Sequence, residues 1–442
     1  NLLRIPCGGV RAMIEIINSH DQQRLAYKLH RIRERNVAFD SDLMGQVKSI
    51  IDDVRARGDA ALIDYSAQFD GCVMQPSELR ISEQELRHIA STVESDVLEA
   101  LREAIRNVKR FHEHERQHSW AFEAEHGVRL GQRITPMNRV GLYVPGGTAS
   151  YPSSVVMNVV PAQVAGVPHI VVATPPLSLR DNPAVAAALL QVGVSEVFAV
   201  GGAQAIAALA YGTETVPRVD KITGPGNRYV AAAKRLVFGT VGIDSIAGPS
   251  EVVIIADDTA RAEFVAADLL AQAEHDEYAC AILVTTSERL ANDVVTEVAR
   301  QTVTLPRRVV VEESLVQFGA ILVVPDLDEA CALVNELAPE HLEIVTGDDD
   351  AVAARILHAG AIFFGPYSPE VVGDYFAGPN HVLPTAGAAR YSSALGVYDF
   401  VKRTSTLRYS REALKQSANK ITTLARTEGL EAHARSAAIR LD

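Results

Sequence analysis

Cysteine is scarce in this sequence, and the few cysteines do not form a recognisable site. Cys7, Cys72, Cys280 and Cys331 are the only four among 442 residues, and no two are spaced as C-x-x-C. Neither a disulfide framework nor a thiolate zinc site is therefore indicated. A chain without disulfides is typical of reducing compartments, so we expect a cytoplasmic protein.

Basic residues are also in the minority. The chain has 42 Lys and Arg against 55 Asp and Glu, which gives a formal net charge of −13. This balance argues against nucleic acid or an anionic membrane as a partner, because both bind basic surfaces. Long apolar runs are missing as well. The runs at 170–174 and 252–256 have the length of strands, so no membrane span is predicted.

No repeat of fixed period and no low-complexity segment occurs, and the length is sufficient for two or three domains. The sequence begins with Asn rather than Met, which is compatible with a short preceding leader. Up to about residue 120, apolar residues recur at helical spacing, as Val47, Ile50 and Val54 do, and this part is predicted to be mostly helical. After Arg390 the chain is polar again, and we expect helices and no strand beyond about Phe400.

Between these ends, short β-branched runs alternate with Ala-rich helical stretches, which is typical of parallel βαβ units. Strands are predicted at 140–144, 170–174, 197–200 and 221–223, and then at 252–256, 282–285, 321–324, 342–345 and 361–364. The sequence therefore predicts an α/β fold with two tandem Rossmann-like parallel-sheet units and helical N- and C-terminal extensions. The C-terminal segment of about 45 residues is too short to be stable alone, so we expect it to pack on something else.

Three of the predicted strand-to-helix turns are rich in glycine: YVPGG at 143–147, GGAQ at 201–204 and GPGN at 224–227. At such turns a helix N-terminus offers backbone N–H groups to phosphates, so a nucleotide site is predicted. None is the G-x-G-x-x-G fingerprint, because Tyr229 stands where the third glycine would be. The alternative is that these glycines only provide positive φ angles in tight turns.

A set of candidate metal ligands is spread along the chain. His275 follows Gln272 by three residues at the end of the predicted helix 261–272, so both side chains project from one face. With Asp374 and His433 they supply two imidazoles and two oxygens, a set suited to Zn²⁺ or Mn²⁺. Spacing alone cannot pair ligands so far apart, and a single histidine is more commonly a surface or hydrogen-bonded residue.

Glu340 and His341 directly follow Pro339, where a predicted helix ends before an apolar strand. An imidazole accepts protons near neutral pH, and an adjacent carboxylate can orient it or activate water. The pair is therefore a candidate for general base catalysis. The alternative is an exposed polar turn.

Seven segments, in this order and spacing, resemble the L-histidinol dehydrogenase family. They are GLYVPGG at 141–147, VGGAQAIAAL at 200–209, DKITGPGN at 220–227, AGPSE at 247–251, QAEH at 272–275, PEHL at 339–342 and GDYFAGPNHVLPT at 373–385. The resemblance runs from about residue 30 to the C-terminus, and together these motifs are specific to that family.

The resemblance implies oxidation of L-histidinol to L-histidine, the last step of histidine biosynthesis, with two NAD⁺ and one water and through a bound aldehyde. It implies one Zn²⁺ per subunit, held by Gln272, His275, Asp374 and His433. NAD contacts would be Tyr143, Gln204 and Asn227. Substrate contacts would be Ser250, Gln272, His275, His341, Asp374, His381, Glu428 and His433.

The same resemblance implies a role for each catalytic residue. Zn²⁺ would hold the imidazole and amine nitrogens of the substrate, His341 would accept the hydroxyl proton, and Glu340 would activate water on the aldehyde. Cys280 and Cys331 invite comparison with the nucleophile of aldehyde dehydrogenases. Neither lies in a matching motif, so both are interpreted as buried small residues.

The resemblance also implies an intertwined homodimer in which the C-terminal tail crosses to the other subunit. On this basis the predicted division is a helical extension (1–38), an α/β domain with the zinc and catalytic residues (39–142 and 252–394), an NAD-binding Rossmann-like domain (143–251) and a domain-swapped helical tail (395–442). The expected partners are L-histidinol and a second copy of the chain, with no nucleic acid or membrane.

Three other functions compete with this one. A relative with the same cofactors could oxidise another alcohol, such as a sulfonated diol, but Glu428 and His433 favour histidinol. A zinc hydrolase would not need the three glycine turns. A non-catalytic dimer stabilised by zinc is disfavoured because both Glu340 and His341 are present.

Overall fold

A computed structural model of the chain describes residues 13–35, 39–146 and 151–441. The strands are β1 (Glu15–Asn18), β2 (Arg80–Ile81), β3 (Trp120–Ala124), β4 (Val128–Pro136), β5 (Arg139–Tyr143), β6 (His169–Thr174), β7 (Glu196–Ala199), β8 (Lys221–Thr223), β9 (Gly242–Ile243), β10 (Glu251–Ala256), β11 (Cys280–Thr285), β12 (Ala320–Val323), β13 (His341–Val345), β14 (Ala361–Phe364) and β15 (Val401–Arg408).

The helices divide into those before β10 and those after it. The first group is α1 (Gln22–Glu34), α2 (Ser41–Arg57), α3 (Asp59–Phe69), α4 (Glu83–Ala90), α5 (Ser95–Glu113), α6 (Pro152–Ala165), α7 (Pro176–Asp181), α8 (Pro183–Val192), α9 (Gly202–Tyr211) and α10 (Arg228–Val237). The second group is α11 (Ala262–Ala273), α12 (Glu288–Thr302), α13 (Arg308–Phe318), α14 (Leu327–Leu337), α15 (Asp349–Ala353), α16 (Glu370–Tyr375), α17 (Arg411–Thr427) and α18 (Glu431–Ala438).

Six parallel strands form the first sheet, called sheet I, in the order β1-β12-β11-β10-β13-β14. Every residue of β10 and β11 is buried, as expected for a parallel sheet covered by helices on both faces. Alternation along β10 divides its side chains: Val252 and Ile254 pack with α11–α13, while Val253 and Ile255 pack with α1 and α14.

The second sheet, sheet II, has the order β2-β7-β6-β5-β8-β9. All of its pairs are parallel except β2 with β7. Helices α2, α3, α9 and α10 contribute to the core on one face, and α4, α5, α6 and α8 to the core on the other. Parallel α/β units therefore lie at the predicted places, and the α/β class is confirmed.

A third, antiparallel sheet, sheet III, has the order β15-β4-β3. Its register runs from Val401 opposite Pro136 to Arg408 opposite Arg129. The tail then continues into α17 and α18, which pack on each other, and α17 also contacts the turn at 125–127. The expectation of no strand beyond Phe400 was wrong. Seven of the eight residues of β15 are exposed, so the strand has no apolar face to reveal it.

The N-terminal part also differs from the predicted division. The described part of 1–38 contains strand β1, which pairs with β12 at the edge of sheet I, as well as helix α1. Residues 39–142 were grouped with 252–394, but α2–α5 pack on sheet II. The reason is the apolar face of α2, where Leu43, Val47 and Ile51 share one core with α9 and α10. Cys7 lies outside the described residues.

No helix in the described ranges combines the length and the apolar character needed to cross a bilayer.

Candidate active site

Two helices and one strand, all packed in or on sheet I, bring the candidate metal and base residues together. Gln272 is in the last turn of α11, and His275 follows directly after that helix ends. His341 is the first residue of β13, and Asp374 lies on the short helix α16. Helix α16 packs on β14, since a Cβ on Gly373 would lie 2.6 Å from the Phe363 ring. The site therefore lies at the amino end of β13.

His275, Asp374 and Glu370 form a group that could hold a metal ion. One ligand atom from each lies within 4.8 Å of the others. Gln272 is fully buried, and within the described part of the chain neither its amide oxygen nor its amide nitrogen has a hydrogen-bond partner. Because buried polar groups are nearly always partnered, this orphaned amide points to a ligand that completes it.

The charges of this group also fit a divalent cation. Burial lowers the pKa of His275, which favours the neutral imidazole that binds metals. Burial raises the pKa of Asp374 to about 7. Burial, followed by the nearby Asp374 and Glu340 carboxyls, raises the pKa of Glu370 well above its usual range. A bound cation would offset this crowding of carboxylates, so the residues present fit the metal that the family resemblance implies.

His341 is held as a proton acceptor. Its Nδ1 lies 3.1 Å from the backbone oxygen of Glu251, which can only accept, so Nδ1 carries the hydrogen. Nε2 is then the free acceptor. It is buried, has no hydrogen-bond partner among residues 13–35, 39–146 and 151–441, and lies 3.8 Å from Asp374 Oδ1. Burial lowers the pKa of His341 to about 3, against a smaller opposing effect of the Glu251 hydrogen bond. The imidazole of His341 is therefore neutral, and its Nε2 is available to accept a proton.

Glu340 is buried beside His341, so the alternative of an exposed polar turn was wrong. Its Oε2 accepts from the Glu251 backbone N–H at 3.0 Å, and its own N–H donates to Glu251 Oε1 at 3.3 Å. Burial, followed by the Glu251 carboxyl, raises the pKa of Glu340 well above its usual range. A carboxylate in this environment is a stronger base than one in water.

Two predicted substrate contacts border this site. Ser250 immediately precedes β10, and its backbone oxygen accepts from the Cys280 N–H at 3.0 Å. His381 lies beside the backbone of Asp374, and burial lowers its pKa to about 4. Both residues are half-buried.

The interpretation of the cysteines as buried small residues is confirmed for Cys280 and Cys331. Both are buried free thiols. Cys280 packs in the core that includes Leu342, and Leu342 alternates with His341 along β13, so the thiol lies on the other face of the sheet. Burial raises its pKa to about 11, which disfavours the reactive thiolate.

The predicted NAD contacts lie at the carboxyl edge of sheet II. Tyr143 ends β5, Gln204 is in the first turn of α9, and Asn227 caps α10 by accepting from two backbone N–H groups. The turns touch one another. The Gly202 N–H donates to the Tyr143 hydroxyl at 3.1 Å, and a Cβ on Gly224 would lie 2.1 Å from the Tyr143 carbonyl oxygen.

Positive φ angles occur at Gly202 (64°) and Gly224 (110°), as the conformational alternative expected. Tyr143 and Gln204 are buried, while Asn227 is exposed. Gly147, the last residue of the first turn, lies outside the described residues.

The tail residues are not brought to this site within one chain. Glu428 and His433 are both exposed, at the end of α17 and in the first turn of α18. Among the described residues, the metal-competent group contains His275, Glu370 and Asp374 but not His433. Of the predicted ligands, His275 and Asp374 are thus brought together, and Gln272 lies three residues before His275 at the end of α11.

Sequence reasoning missed Glu370, Glu251 and Arg35. Glu370 precedes Asp374 by four residues on α16, and this spacing on a helix could have revealed it. Glu251 follows Ser250 in the AGPSE segment, and neither its residue type nor its spacing assigns it a role. Arg35 contacts Glu251 across more than two hundred residues, and no local signal marks it.

Comparisons with known proteins agree with each other. A family model described as histidinol dehydrogenase matches residues 33–441. Histidinol dehydrogenase of Geobacillus kaustophilus is 56% identical over 397 residues, which cover 90% of this chain and 93% of the relative. That of Rhizobium meliloti is 55% identical over 401 residues, covering 91% and 92%. The crystal structure of histidinol dehydrogenase from Elizabethkingia anophelis superposes with a TM-score of 0.92 at 33% identity, covering 98% of this chain and 99% of that one.

Proposed function

This chain belongs to the histidinol dehydrogenase family, and from that premise we propose that it oxidises L-histidinol to L-histidine in two NAD⁺-dependent steps at a Zn²⁺ site. The observation that carries the proposal is a pair of buried polar groups with no hydrogen-bond partner among the described residues. One is the side-chain amide of Gln272, three residues before His275 of the metal group, and the other is Nε2 of His341, which lies 3.8 Å from Asp374 Oδ1. The Gln272 oxygen can bind a metal ion, and Nε2 can accept a proton.

We assign the metal to Gln272, His275 and Asp374, with the partner subunit's His433 as the fourth ligand. Zn²⁺ would supply a grip on the imidazole and amine nitrogens of the amino alcohol, and it does no redox chemistry itself. Binding of these two nitrogens would fix the reacting carbon near His341, which is an orientation effect. Ser250, His381 and the partner subunit's Glu428 are assigned to the same substrate.

In the first oxidation, Nε2 of His341 takes the hydroxyl proton while the carbinol carbon loses a hydride. The neutral tautomer is already in place, because the Glu251 carbonyl holds the hydrogen on Nδ1. His341 must pass its proton on before it acts again.

In the second oxidation, Glu340 removes a proton from water as the water oxygen bonds to the aldehyde carbon. The carbonyl oxygen takes up the proton that His341 holds from the first oxidation, which gives a neutral diol and returns His341 to its neutral form. The diol then gives a hydroxyl proton to Nε2 of His341 while the same carbon loses its second hydride. Burial raises the pKa of Glu340 well above its usual range, so its carboxylate is a stronger base than one in water, which supports this role.

NAD⁺ accepts each hydride, and we assign its binding to the glycine turns of sheet II, with contacts from Tyr143, Gln204 and Asn227. The segment 380–381 connects α6, the helix that follows β5, with the metal group. The Asn380 amide donates to the Met157 carbonyl of α6 at 2.6 Å, and the next residue, His381, lies beside Asp374. This connection supports a nicotinamide approach from sheet II towards the residues of sheet I.

We further propose a homodimer in which α17 and α18 complete the site of the partner. Two exposed apolar surfaces support it. Val372, Tyr375 and Phe376 on or next to α16 are 39%, 59% and 43% exposed beside the metal group, and Leu424 and Leu430 of the tail are 67% and 41% exposed. Burial of these surfaces against each other would stabilise the dimer.

The proposal is tested by following NADH with purified protein and L-histidinol, other amino alcohols and sulfonated diols. We expect two NADH per histidinol consumed and histidine as the product. Chelator treatment should abolish the reaction, and Zn²⁺ or Mn²⁺ should restore it. Full activity in protein shown to be metal-free by elemental analysis would contradict the metal assignment. A preference for another alcohol would replace histidinol as the substrate.

A further inference from the structure

Behind Glu340 and His341 lies a buried ion pair that the catalytic proposal does not use. Nη2 of Arg35 contacts Oε2 of Glu251, and the two side chains are 1% and 10% exposed. Arg35 follows α1 at the N-terminal end of the described chain, whereas Glu251 begins β10. An isolated buried charge would be costly, so each of these groups depends on the other.

Glu251 engages both catalytic residues through its backbone and its side chain. The backbone N–H donates to Glu340 Oε2 at 3.0 Å, and the backbone carbonyl accepts from His341 Nδ1 at 3.1 Å. The side-chain Oε1 accepts from the N–H groups of Glu340 at 3.3 Å and Ala386 at 3.1 Å. One residue thus orients the carboxyl group of Glu340 and selects the tautomer of His341.

Arg35 in turn fixes the backbone around Glu251. Its Nη1 donates to the carbonyl oxygens of Pro249 at 3.2 Å, Ser250 at 3.2 Å and Tyr278 at 3.0 Å. Pro249 and Ser250 lead into β10, and Tyr278 lies in the turn between His275 and β11. The planar guanidinium therefore joins the start of β10 to the turn that follows a proposed metal ligand.

We propose that the Arg35–Glu251 pair is the positioning element of the catalytic residues, with Glu251 setting the orientation of Glu340 and the tautomer of His341 and Arg35 holding Glu251 in place. This inference rests on the proposed function in taking Glu340 and His341 as the catalytic pair. Neither Arg35 nor Glu251 contacts the reacting atoms, so both act through the orientation of other groups.

The first test compares Glu251→Ala with the conservative Glu251→Gln. The alanine variant loses the acceptor for the Glu340 and Ala386 N–H groups, while the glutamine variant keeps an oxygen there. We expect kcat to fall roughly 10- to 100-fold in Glu251→Ala, the range seen when orienting partners are removed, and clearly less in Glu251→Gln. KM for histidinol and zinc content should change little, because Gln272, His275 and Asp374 are not touched.

The second test uses chemical rescue. A cavity of about 400 Å³ on the other face of the sheet is lined by Glu251, Ile32 and Arg33, which gives a small cation access to the carboxylate. Millimolar guanidinium chloride should therefore restore part of the kcat lost in Arg35→Ala, and equal sodium chloride should not. The matched control is Arg33→Ala, which removes an exposed arginine paired with Glu336 and should keep kcat within about twofold.

A double variant, Arg35→Met with Glu251→Gln, covers the case in which a single variant does not fold. It leaves no unpaired buried charge, so it should fold, but it releases the three carbonyls that Arg35 holds. We expect kcat to remain at least about tenfold below wild type. Wild-type kcat in the folded double variant, or in Glu251→Ala, would overturn the inference.

A spectroscopic readout separates this inference from the proposed function. In protein labelled with ¹⁵N-histidine, the His341 signals are assigned by their loss in His341→Asn. Wild type should show hydrogen on Nδ1. Glu251→Ala keeps the backbone carbonyl at position 251 but loses the side-chain contacts that hold it in place, including those to Arg35 and Ala386, so it should show a mixture of both tautomers. If wild type does not oxidise histidinol, the proposed function fails while these spectra still decide the inference. An unchanged tautomer in Glu251→Ala would refute it.

Discussion

At the residue scale, the site is defined by buried side-chain atoms that lack partners. His341 Nε2 and the Gln272 amide are the clearest cases, since each belongs to a fully or nearly fully buried side chain. Unpaired groups of this kind lower the free energy of unfolding unless a ligand satisfies them. Because His341 is assigned to proton transfer and Gln272 to metal binding, the two functions can be tested separately by mutating one residue at a time.

The two residues proposed to be catalytic should differ in the steps they affect. His341→Asn removes the base for both oxidations, so both should slow by about 10²–10⁴-fold. Glu340→Gln should slow the reaction from histidinol to histidine more than the first hydride transfer alone, because only the second oxidation uses water. Single-turnover kinetics with histidinol and with histidinal, supplied separately, measure the two steps. Small and equal losses in both variants on both substrates would remove these residues from the mechanism.

Because the amide of Gln272 is unpartnered, replacing it should have opposite effects on stability and on metal binding. Gln272→Met keeps the shape but removes the unpartnered groups, so in metal-free protein the free energy of unfolding should rise by about 1 kcal/mol or more. The same variant should bind Zn²⁺ more weakly. Thermal unfolding with and without Zn²⁺, together with zinc titration, measures both effects.

Gln163 provides a control with a partnered amide: the residue is exposed, but its amide donates to the Val192 carbonyl at 2.6 Å. Gln163→Met should therefore lower the free energy of unfolding by about 1 kcal/mol and leave zinc binding unaffected. A loss of stability in metal-free Gln272→Met would argue that the amide is satisfied by the protein itself.

At the scale of elements, close contacts as well as backbone angles require glycine in the turns of sheet II. Gly224 has φ 110°, and a Cβ there would lie 2.1 Å from the Tyr143 carbonyl oxygen. Behind the turn, the Gly224 N–H donates to Asp244 Oδ2 at 2.8 Å and its carbonyl accepts from Lys234 Nζ at 3.0 Å. Any side chain at this position must displace the turn that precedes Asn227.

Gly224→Ala should therefore raise KM for NAD⁺ by about tenfold or more, which corresponds to a loss of about 1.4 kcal/mol of binding. Gly239→Ala is the control, because that glycine has a similar φ of 99° but nothing within 4 Å of its missing Cβ. It should lower the melting temperature and leave KM for NAD⁺ unchanged. Steady-state kinetics and thermal unfolding of both variants measure these effects. Equal KM values for NAD⁺ in the two variants would show that the Gly224 turn does not contribute to NAD binding.

At the scale of the whole molecule, the tail is the part whose place in the assembly matters most. Within one chain, α17 and α18 expose Glu428 and His433, and the metal group found among the described residues contains one histidine, His275. An exchanged element is a frequent route to an obligate dimer. We therefore expect each active site to contain residues from two chains.

Mixed dimers test this arrangement. His275→Ala damages the body half of a site, and His433→Ala damages the tail half, so each variant alone should be nearly inactive. After unfolding and refolding together, random pairing makes half of the dimers mixed, and each mixed dimer has one intact site. Activity should then return to roughly a quarter of wild type. No recovery, with mixed dimers demonstrated by mass spectrometry, would show that each tail serves its own chain.

Much of the parallel α/β framework could be predicted from the sequence. Strands buried on both faces, such as β10 and β11, are short apolar runs, and these are visible without any knowledge of their neighbours. The strand predicted at 361–364 has the observed bounds of β14. The glycine turns, the QAEH and PEHL segments and the family were also accessible, because each is local in the sequence.

What only the tertiary structure decided are the features that depend on distant partners. Strands β3 and β15 are almost wholly exposed, so backbone pairing with β4, not an apolar pattern, makes them strands. Helix α2 packs on sheet II rather than sheet I because its apolar face fits α9 and α10, and an apolar face alone does not name its partner. The contact of Arg35 with Glu251 arises in the same way. Composition and spacing determine which groups must be buried, but only the packed chain determines which of them meet.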